Sequence, residues 1–426
     1  MDIITQKTIF DYMEIEILGD LERLQLVLEG ILDTKSFWKL INTLNKERGN
    51  GRNDNPNLVM FKIYVAMKVY EHRGYSSIRR ELMRNSDLRK MVGLIDGEYL
   101  FGGKKLVPTK GAWTGFSKNL MKHQDLVDDI FEENVNFMYE NVESFGKETA
   151  LDGKIIHSFA KGNNKKTKAD GRRDIDADWF CKEQSYIDAK GEAKKKKTSY
   201  FGYEAHILCD VKTELPIAYE LEKASISEVL MAHKILDELS PKKLLVMNYS
   251  YLDGGYDDIK LIQKYKSNNI IPLIDIRNMW KDGEKTKQYK NTNLVYTYEG
   301  EIFYVHENGS YERLKYKGYD KEREALRYSH KIKGKIRVYR IEIKYDERIF
   351  LPVARDSKKY QKLYAKRTSV ERLNGRIDRD YLFNDHFIRS KKKMELSLSI
   401  TFIIMLSMAK GHIKKKQSNL ASLVNI

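Results

Sequence analysis

The segment 149–158, TALDGKIIHS, is the point at which the sequence changes from a helical to a strand pattern. Apolar residues surround a single acid, Asp152, in a run with the length and composition of a strand. A carboxylate among apolar neighbours is costly unless it faces a metal or a cleft. The segment therefore predicts a central strand that carries a functional acid.

Strands come first after this segment, and helices are interleaved after them. Residues 200–210 and 215–223 predict a hairpin, residues 227–239 a helix and residues 243–247 a buried strand. The glycines of LDGGYDDIKLIQKY, residues 252–265, then turn the chain into another helix. The predicted fold class is α/β, with a mixed sheet covered by helices.

The chain before this core is predicted to be helical. Apolar residues three and four positions apart in 21–31 and 58–70 indicate two helices, and further helices are expected from Ser76 or Ser77 and from Thr109. Short basic helices in succession are compatible with a helix-turn-helix-like DNA reader. A helical bundle with a solvated basic face fits the same pattern equally well.

Residues 291–355 have a third pattern, with tyrosine- and isoleucine-rich runs separated by turns such as Glu299-Gly300 and Asn308-Gly309. They predict antiparallel β-hairpins inserted into the core. The predicted domains follow in order: a helical DNA-binding region, the first part of the core, the β insertion, and the C-terminal helices of the core, at 1–145, 146–290, 291–355 and 356–426.

The insertion is followed by YAKRTSVERLNGRI, residues 364–377. Tyr364, Arg367 and Glu371 fall within roughly 60° of arc on a helix that turns 100° per residue. This arrangement predicts an active-site helix, on which Tyr364 stacks on a base and Arg367 grips a phosphate. Ordinary packing of Tyr364 at the edge of the apolar stripe is an equally good interpretation.

Asp152, Asp253 and Glu371 are the candidate catalytic and metal-binding acids. Asp253 stands at the end of a predicted strand, where ligands bind in open α/β sheets. Three carboxylates repel one another unless divalent cations neutralise them, and hard oxygen ligands favour Mg²⁺, with Mn²⁺ as a substitute. Two such ions about 4 Å apart suit phosphodiester cleavage. Because the chain has 61 acidic residues, a merely solvated role stays open for each.

The charge of the chain favours nucleic acid as a partner. The formal net charge is +16 and the sequence pI is about 9.3, which suits DNA better than an anionic membrane. Residues 194–197, four lysines, are predicted to form a solvated loop, with contact to the DNA backbone as the alternative. The apolar run 396–409 is shorter than the roughly 20 residues of a membrane span and predicts a buried core helix.

The cysteine count and the motifs exclude several classes. Only Cys181 and Cys209 occur, so a disulfide framework or a zinc ribbon is not available, and a reducing cytoplasm is expected. The N-terminus does not have the pattern of a secretory signal. No phosphate-cradling GxxxxGK[ST] occurs, so ATP dependence is not indicated.

In sequence and in order, these blocks resemble the DDE transposases of bacterial insertion sequences, in the group with a Tyr-Arg-Glu motif and a β insertion before the last acid. TALDGKIIHS resembles the strand of the first acid, LDGGYDD the turn of the second, and YAKRTSVERLNGRI the helix of the last. The resemblance implies a ribonuclease-H-like catalytic fold, two divalent metal ions, and Asp152, Asp253 and Glu371 as the three acids.

The same resemblance implies what the protein does and where. A transposase of this kind nicks the ends of its element, and the freed 3′-hydroxyl attacks target DNA. Its partners would be double-stranded DNA and a second copy of the chain, as a homodimer, at the bacterial nucleoid. Two alternatives stay open: a structure-selective, metal-dependent endonuclease of the same fold, and a catalytically inactive DNA-binding derivative.

One residue departs from the motif of the family. That motif usually continues with a lysine seven positions after the glutamate, where this chain has Asp378. A carboxylate there would repel phosphate. Arg376 or Arg379 is predicted to substitute for the lysine, provided that Gly375 breaks the register of the helix.

Overall fold

The computed structural model describes residues 9–48, 55–94, 107–162, 174–187, 192–332 and 334–415. Each of the four predicted domains includes residues outside these ranges. The predicted domain boundaries stay predictions, because the helical region and the sheet share one continuous apolar core.

The N-terminal region is helical, as predicted. Thr109 caps its helix through a hydrogen bond that Ala112 N–H donates to the threonine hydroxyl oxygen, at 3.2 Å. The prediction that Ser76 or Ser77 caps a helix is wrong, because that helix begins at Tyr75 after Gly74, without a side-chain cap. The described helices are α1 (Ile9–Leu32), α2 (Lys35–Arg48), α3 (Asn57–Val69), α4 (Tyr75–Arg84), α5 (Ser86–Val92), α6 (Lys110–Leu120) and α7 (Gln124–Asn141).

A mixed sheet forms the centre of the core. Its path runs β4-β3-β1-β5-β6, where β3 is antiparallel to β1 and β4, and β5 and β6 are parallel to β1. This mixed sheet, against which helices pack, confirms the predicted ribonuclease-H-like core. The strands are β1 (Glu148–His157), β2 (Asp178–Ile187), β3 (Ala193–Asp210), β4 (Pro216–Lys223), β5 (Tyr249–Leu252) and β6 (Ile271–Ile274).

The first half of β3 extends beyond the sheet as a two-stranded ribbon. Residues 193–202 of β3 pair with β2, whereas β1 and β4 pair with β3 from residue 202 or 203 onwards. The four lysines 194–197 lie in this ribbon, and their side chains are exposed. The prediction of a solvated loop there is therefore wrong in its backbone and right in its exposure.

Three helices lie between β4 and β6 in the chain: α8 (Glu228–Glu238), α9 (Pro241–Val246) and α10 (Ile259–Ser267). The buried strand predicted over 243–247 is wrong, because α9 occupies this segment. Pro241 is the first residue of α9, a position at which proline is favoured. Lys243 is buried, and its Nζ lies 2.6 Å from both carboxylate oxygens of Glu132. The strand follows at β5.

The β insertion contains two small sheets and a core of its own. The order of one sheet is β10-β9-β8-β7 and that of the other is β11-β12-β13, all antiparallel. A separate apolar cluster runs from Tyr289 to Ala354. The strands are β7 (Lys287–Gln288), β8 (Leu294–Tyr296), β9 (Ile302–Val305), β10 (Tyr311–Arg313), β11 (Lys315–Asp320), β12 (Ala325–Ile332) and β13 (Lys335–Glu342).

Three helices complete the described chain: α11 (Lys358–Tyr364), α12 (Thr368–Asp380) and α13 (Lys391–Lys414). A 3₁₀ turn, Ala365–Arg367, joins the first two. α13 is the one described helix that is long and apolar enough to cross a membrane, but it packs against α1 and α7, and 89% of its apolar window is buried. This confirms the predicted core helix.

Candidate active site

The strand register brings Asp152 and Asp253 together. β1 and β5 are parallel neighbours, and Leu151 is paired with Leu252. Each acid is the next residue along its strand, and neighbouring strands lie about 4.8 Å apart. Asp152 and Asp253 are therefore adjacent at the carboxyl end of β5, the edge at which ligands bind in sheets of this kind.

The turn after β5 fixes the orientation of Asp253. Its side chain caps the 3₁₀ turn Gly254–Tyr256 by accepting a hydrogen bond from Gly255 N–H at 2.8 Å. Gly255 is required by close packing, because a Cβ there would lie 1.5 Å from a carboxylate oxygen of Glu228 and 2.9 Å from one of Asp253. Glu228, in the first turn of α8, is thus a fourth acid at this edge, and its position was not predicted from the sequence.

Helix α12 carries the third acid across β1. Arg367 stands between two of the acids: its guanidinium pairs with Glu371, and its Nη1 lies 3.9 Å from a carboxylate oxygen of Asp152. Asn374, one turn beyond Glu371, donates its amide N–H to Asp152 at 3.4 Å. The structure therefore brings Asp152, Asp253 and Glu371 to one place, with Arg367 as the counter-ion of two of them.

The electrostatics of Asp152 reflect this crowding. Burial is the largest cause that raises its pKa, to about 7, and the negative charges of Asp253 and Glu371 raise the pKa further. The Arg367 cation opposes these effects. Asp152 is thus a carboxyl group that ionises near neutral pH, which is typical of a functional site.

The donor set suits a hard divalent cation. All three candidate ligands are carboxylates, and Mg²⁺ and Mn²⁺ prefer such oxygen ligands. Two positive charges would relieve the repulsion that raises the pKa of Asp152. A cation held by Glu371 would compete with Arg367 for that carboxylate.

Behind the acids lies a buried pair that was not predicted as part of a site. The Tyr256 hydroxyl is 3.1 Å from His206 Nδ1, and both side chains are fully buried. Burial lowers the pKa of His206 to about 4, so the imidazole is neutral at neutral pH. Burial and four nearby acids raise the pKa of Tyr256, so its hydroxyl stays protonated. The pair therefore adds no charge behind the acidic edge.

Asp378 has a partner that explains how this chain tolerates an acid at the lysine position of the motif. Lys154 Nζ, from β1, lies 2.6 Å from Asp378 Oδ1, and the lysine side chain is only 6% exposed. Lys154 follows Asp152 by two residues and therefore points to the same face of the sheet. The positive charge at this place is therefore that of Lys154 on β1, whereas the motif of the family has a lysine on the helix.

The four residues predicted to contact DNA, Tyr364, Arg367, Arg376 and Arg379, have different partners in the structure. α12 is continuous through Gly375, so the predicted change of register does not occur. Arg376 is held by Glu214, with 2.6 Å between Nη1 and a carboxylate oxygen, whereas Arg379 pairs with Asp380 and is 76% exposed. Tyr364 is half-buried and stacks on Tyr360, with ring centroids 5.6 Å apart. DNA contact by any of the four stays a prediction.

We expect that Lys154→Met lowers the free energy of unfolding by about 1–3 kcal/mol, because the variant leaves Asp378 without its buried partner. The charge-swapped variant with Lys154→Glu and Asp378→Lys should recover part of this loss in a double-mutant cycle measured by chemical denaturation. The control is Arg379→Gln, which removes an exposed ion pair on α12, the helix that carries Asp378, and should leave stability unchanged. Strictly additive effects of the two single substitutions would contradict the pairing.

Comparison with known proteins gives the family of a chain with this fold and these clustered carboxylates. The model of the transposase DDE domain matches residues 148–407, which is more than half of the chain and includes all three acids. The chain belongs to this family of DDE transposases.

The chain is similar to a solved structure described as the cryo-EM structure of a piggyBac transposase synaptic complex with hairpin DNA. The identity is 12%, the TM-score is 0.42, and the match covers 94% of this chain and 78% of that chain. No curated protein matches the sequence significantly.

Proposed function

We propose that this transposase nicks the ends of a bacterial insertion sequence and joins the freed 3′-hydroxyl to target DNA, with Asp152, Asp253 and Glu371 as its catalytic acids. The observation that carries the proposal is the register of β1 and β5, which makes Asp152 and Asp253 neighbours, together with the crossing of α12, which adds Glu371. The match to the family supports the assignment because it spans all three acids.

Asp152, Asp253 and Glu371 would hold two Mg²⁺ ions, with Mn²⁺ as a substitute, that lower the pKa of an attacking water or hydroxyl and stabilise the leaving oxygen. Arg367 is the counter-ion of Asp152 and Glu371. If bound cations neutralise these carboxylates, its guanidinium can bind a phosphate of the DNA instead. Asn374 keeps Asp152 in place through its amide. Cleavage and joining are both phosphoryl transfers with different nucleophiles, so one site can serve both.

The basic ribbon of β2 and β3 supports double-stranded DNA as the partner. Four consecutive lysines stand on a two-stranded extension with their side chains in solvent. Alternate residues of a strand point to opposite faces, so both faces of the ribbon carry positive charge. Phosphate contacts of this kind release counterions and make binding depend on salt.

We expect that replacing the four lysines 194–197 by glutamine weakens DNA binding at moderate salt by roughly 10- to 100-fold and reduces the slope of log K against log salt by about 2 to 4, because two to four phosphate contacts are lost. Fluorescence anisotropy across a salt series measures both. The matched control replaces three lysines at the start of α13, residues 391–393. An unchanged slope in the ribbon variant would remove the ribbon from the DNA interface.

The proposed reaction is tested with purified protein, Mg²⁺ and a labelled DNA fragment that carries one end of the element. Transposition predicts both a nicked end and a product in which that end is joined to target DNA. Cleavage without any joined product would favour the alternative of a structure-selective endonuclease. Binding without cleavage in Mg²⁺ or Mn²⁺ would favour an inactive DNA-binding derivative.

We also propose how the protein assembles and where in the cell it is located. A homodimer would hold two ends of the element together, and the nucleoid of a bacterial cytoplasm is the expected location. The low cysteine count supports a reducing compartment. Light scattering of the protein with and without end DNA tests the dimer.

A further inference from the structure

A group of two histidines and a glutamate lies in the β insertion, away from the acids of the candidate active site. His306 follows β9, Glu312 lies on β10, and His330 lies on β12. The turn between β9 and β10 brings His306 and Glu312 together. The backbone N–H of His306 donates a hydrogen bond to the carbonyl oxygen of Ser310 at 2.9 Å, and Gly309 adopts a positive φ of 78°. β12 belongs to the other small sheet, so the group joins both sheets.

The two imidazoles converge on one carboxylate oxygen of Glu312. Oε2 of Glu312 lies 3.2 Å from Nε2 of His306 and 2.7 Å from Nε2 of His330. One ligand atom from each residue lies within 4.8 Å of the other two, which is close enough for a single ion. Zinc takes nitrogen ligands at about 2.0–2.1 Å and carboxylate oxygens at about 2.0–2.2 Å, so small side-chain shifts suffice.

The burial of His330 gives a second observation. Its side chain is only 1% exposed, Nδ1 has no hydrogen-bond partner among the described residues, and Nε2 faces the Glu312 carboxylate. A buried polar group without such a partner costs about 1–3 kcal/mol. The Tyr304 ring packs against the imidazole, with centroids 4.9 Å apart, and closes that side of the group. Nε2 is thus directed at Glu312, into the space between the three side chains.

We propose that His306, Glu312 and His330 form a structural site for Zn²⁺ that ties the two sheets of the β insertion together. Two imidazoles and one carboxylate are ligands that zinc accepts, whereas the all-carboxylate site of the core suits Mg²⁺. A fourth position is open to solvent, because His306 and Glu312 are 35% and 51% exposed. The site would hold the insertion rigid beside the helices that carry the catalytic residues.

The test uses the full-length protein, stripped with chelator and dialysed against Zn²⁺ in millimolar Mg²⁺, so that magnesium competes at the acidic site. We expect one zinc per chain by atomic emission spectroscopy and a higher melting temperature than in the stripped protein. His306→Gln and Glu312→Gln should each weaken zinc binding by at least tenfold, because each removes one of three ligands. Both side chains are partly exposed, so these variants should still fold.

Two controls separate this site from others. His157→Gln removes an exposed histidine on β1 and should retain zinc. A variant with Asp152→Asn, Asp253→Asn and Glu371→Gln should also retain zinc, since the proposal places the ion outside the candidate active site. Retention of zinc by His306→Gln and Glu312→Gln, loss of zinc in either control, or no zinc in the wild-type protein would each overturn the proposal.

Discussion

Asp253→Asn is expected to lower the rate of DNA strand cleavage by at least about a thousandfold, which corresponds to about 4 kcal/mol of transition-state stabilisation. An amide is neutral and a poor ligand for Mg²⁺, so the variant loses one of the carboxylates that would hold the ions. Its remaining oxygen can still accept the hydrogen bond from Gly255 N–H, so the turn after β5 should keep its shape. A gel assay of labelled end DNA, with saturating Mg²⁺, measures the rate.

Asp258→Asn is the matched control for this prediction. Asp258 lies five residues further on and caps α10 in the same way, by accepting a hydrogen bond from Leu261 N–H at 2.9 Å. The two substitutions therefore make the same chemical change at two capping acids, of which one borders Asp152. Activity of Asp258→Asn should stay within a few fold of the wild type. Unchanged cleavage by Asp253→Asn would remove the assignment of Asp253 as a metal ligand.

The elements that carry the acids could be predicted from local sequence, for identifiable reasons. Residues 149–158 combine strand-forming residues with one acid, and the Gly-Gly turn after Asp253 is a short-range signal. Thr109 caps α6 by accepting a hydrogen bond from Ala112 N–H, and a threonine directly before a run of helical spacing is a local signal for such a cap. Such features depend on residues within a few positions of one another, so periodicity and capping rules describe them.

The failures have physical causes as well. Residues 243–247 are a short apolar run, and such a run fits a strand or a helical turn equally well by periodicity alone. The proline at the start of α9 and the long-range ion pair of Lys243 decide for the helix. The ribbon of β3 was mistaken for a loop because four lysines contain no alternation of polar and apolar residues.

Three long-range pairs within the site were not predicted from the sequence. Lys154 and Asp378 are distant in sequence, and only the crossing of α12 over β1 brings them together. Glu228 and Gly255 are also distant in sequence, as are His206 and Tyr256, and each pair meets only in the folded structure. From the sequence alone, Asp378 was expected to repel phosphate. The structure shows that its charge is paired with a buried lysine.

Asp152→Asn should abolish cleavage and, without metal, make the protein more stable at pH 8 by on the order of 2 to 4 kcal/mol. The pKa of Asp152 is raised to about 7 by burial and then by Asp253 and Glu371, so the folded state holds this proton more tightly than the unfolded state. Stability from the bound proton is therefore greatest below about pH 4 and is lost as pH rises to about 7. Asparagine cannot ionise and does not incur this loss.

Thermal or chemical denaturation at pH 5 and pH 8, with chelator and with Mg²⁺, measures the effect. The gain of Asp152→Asn over the wild type should grow from pH 5 to pH 8 in chelator. Mg²⁺ should stabilise the wild type more than the variant, since the ion binds the ionised carboxylate. Asp253→Asn removes one repelling neighbour of Asp152 and should have an intermediate gain. If the wild type and Asp152→Asn lost stability equally with rising pH, the acids would not be crowded in the folded protein, and a shared metal site would lose its electrostatic basis.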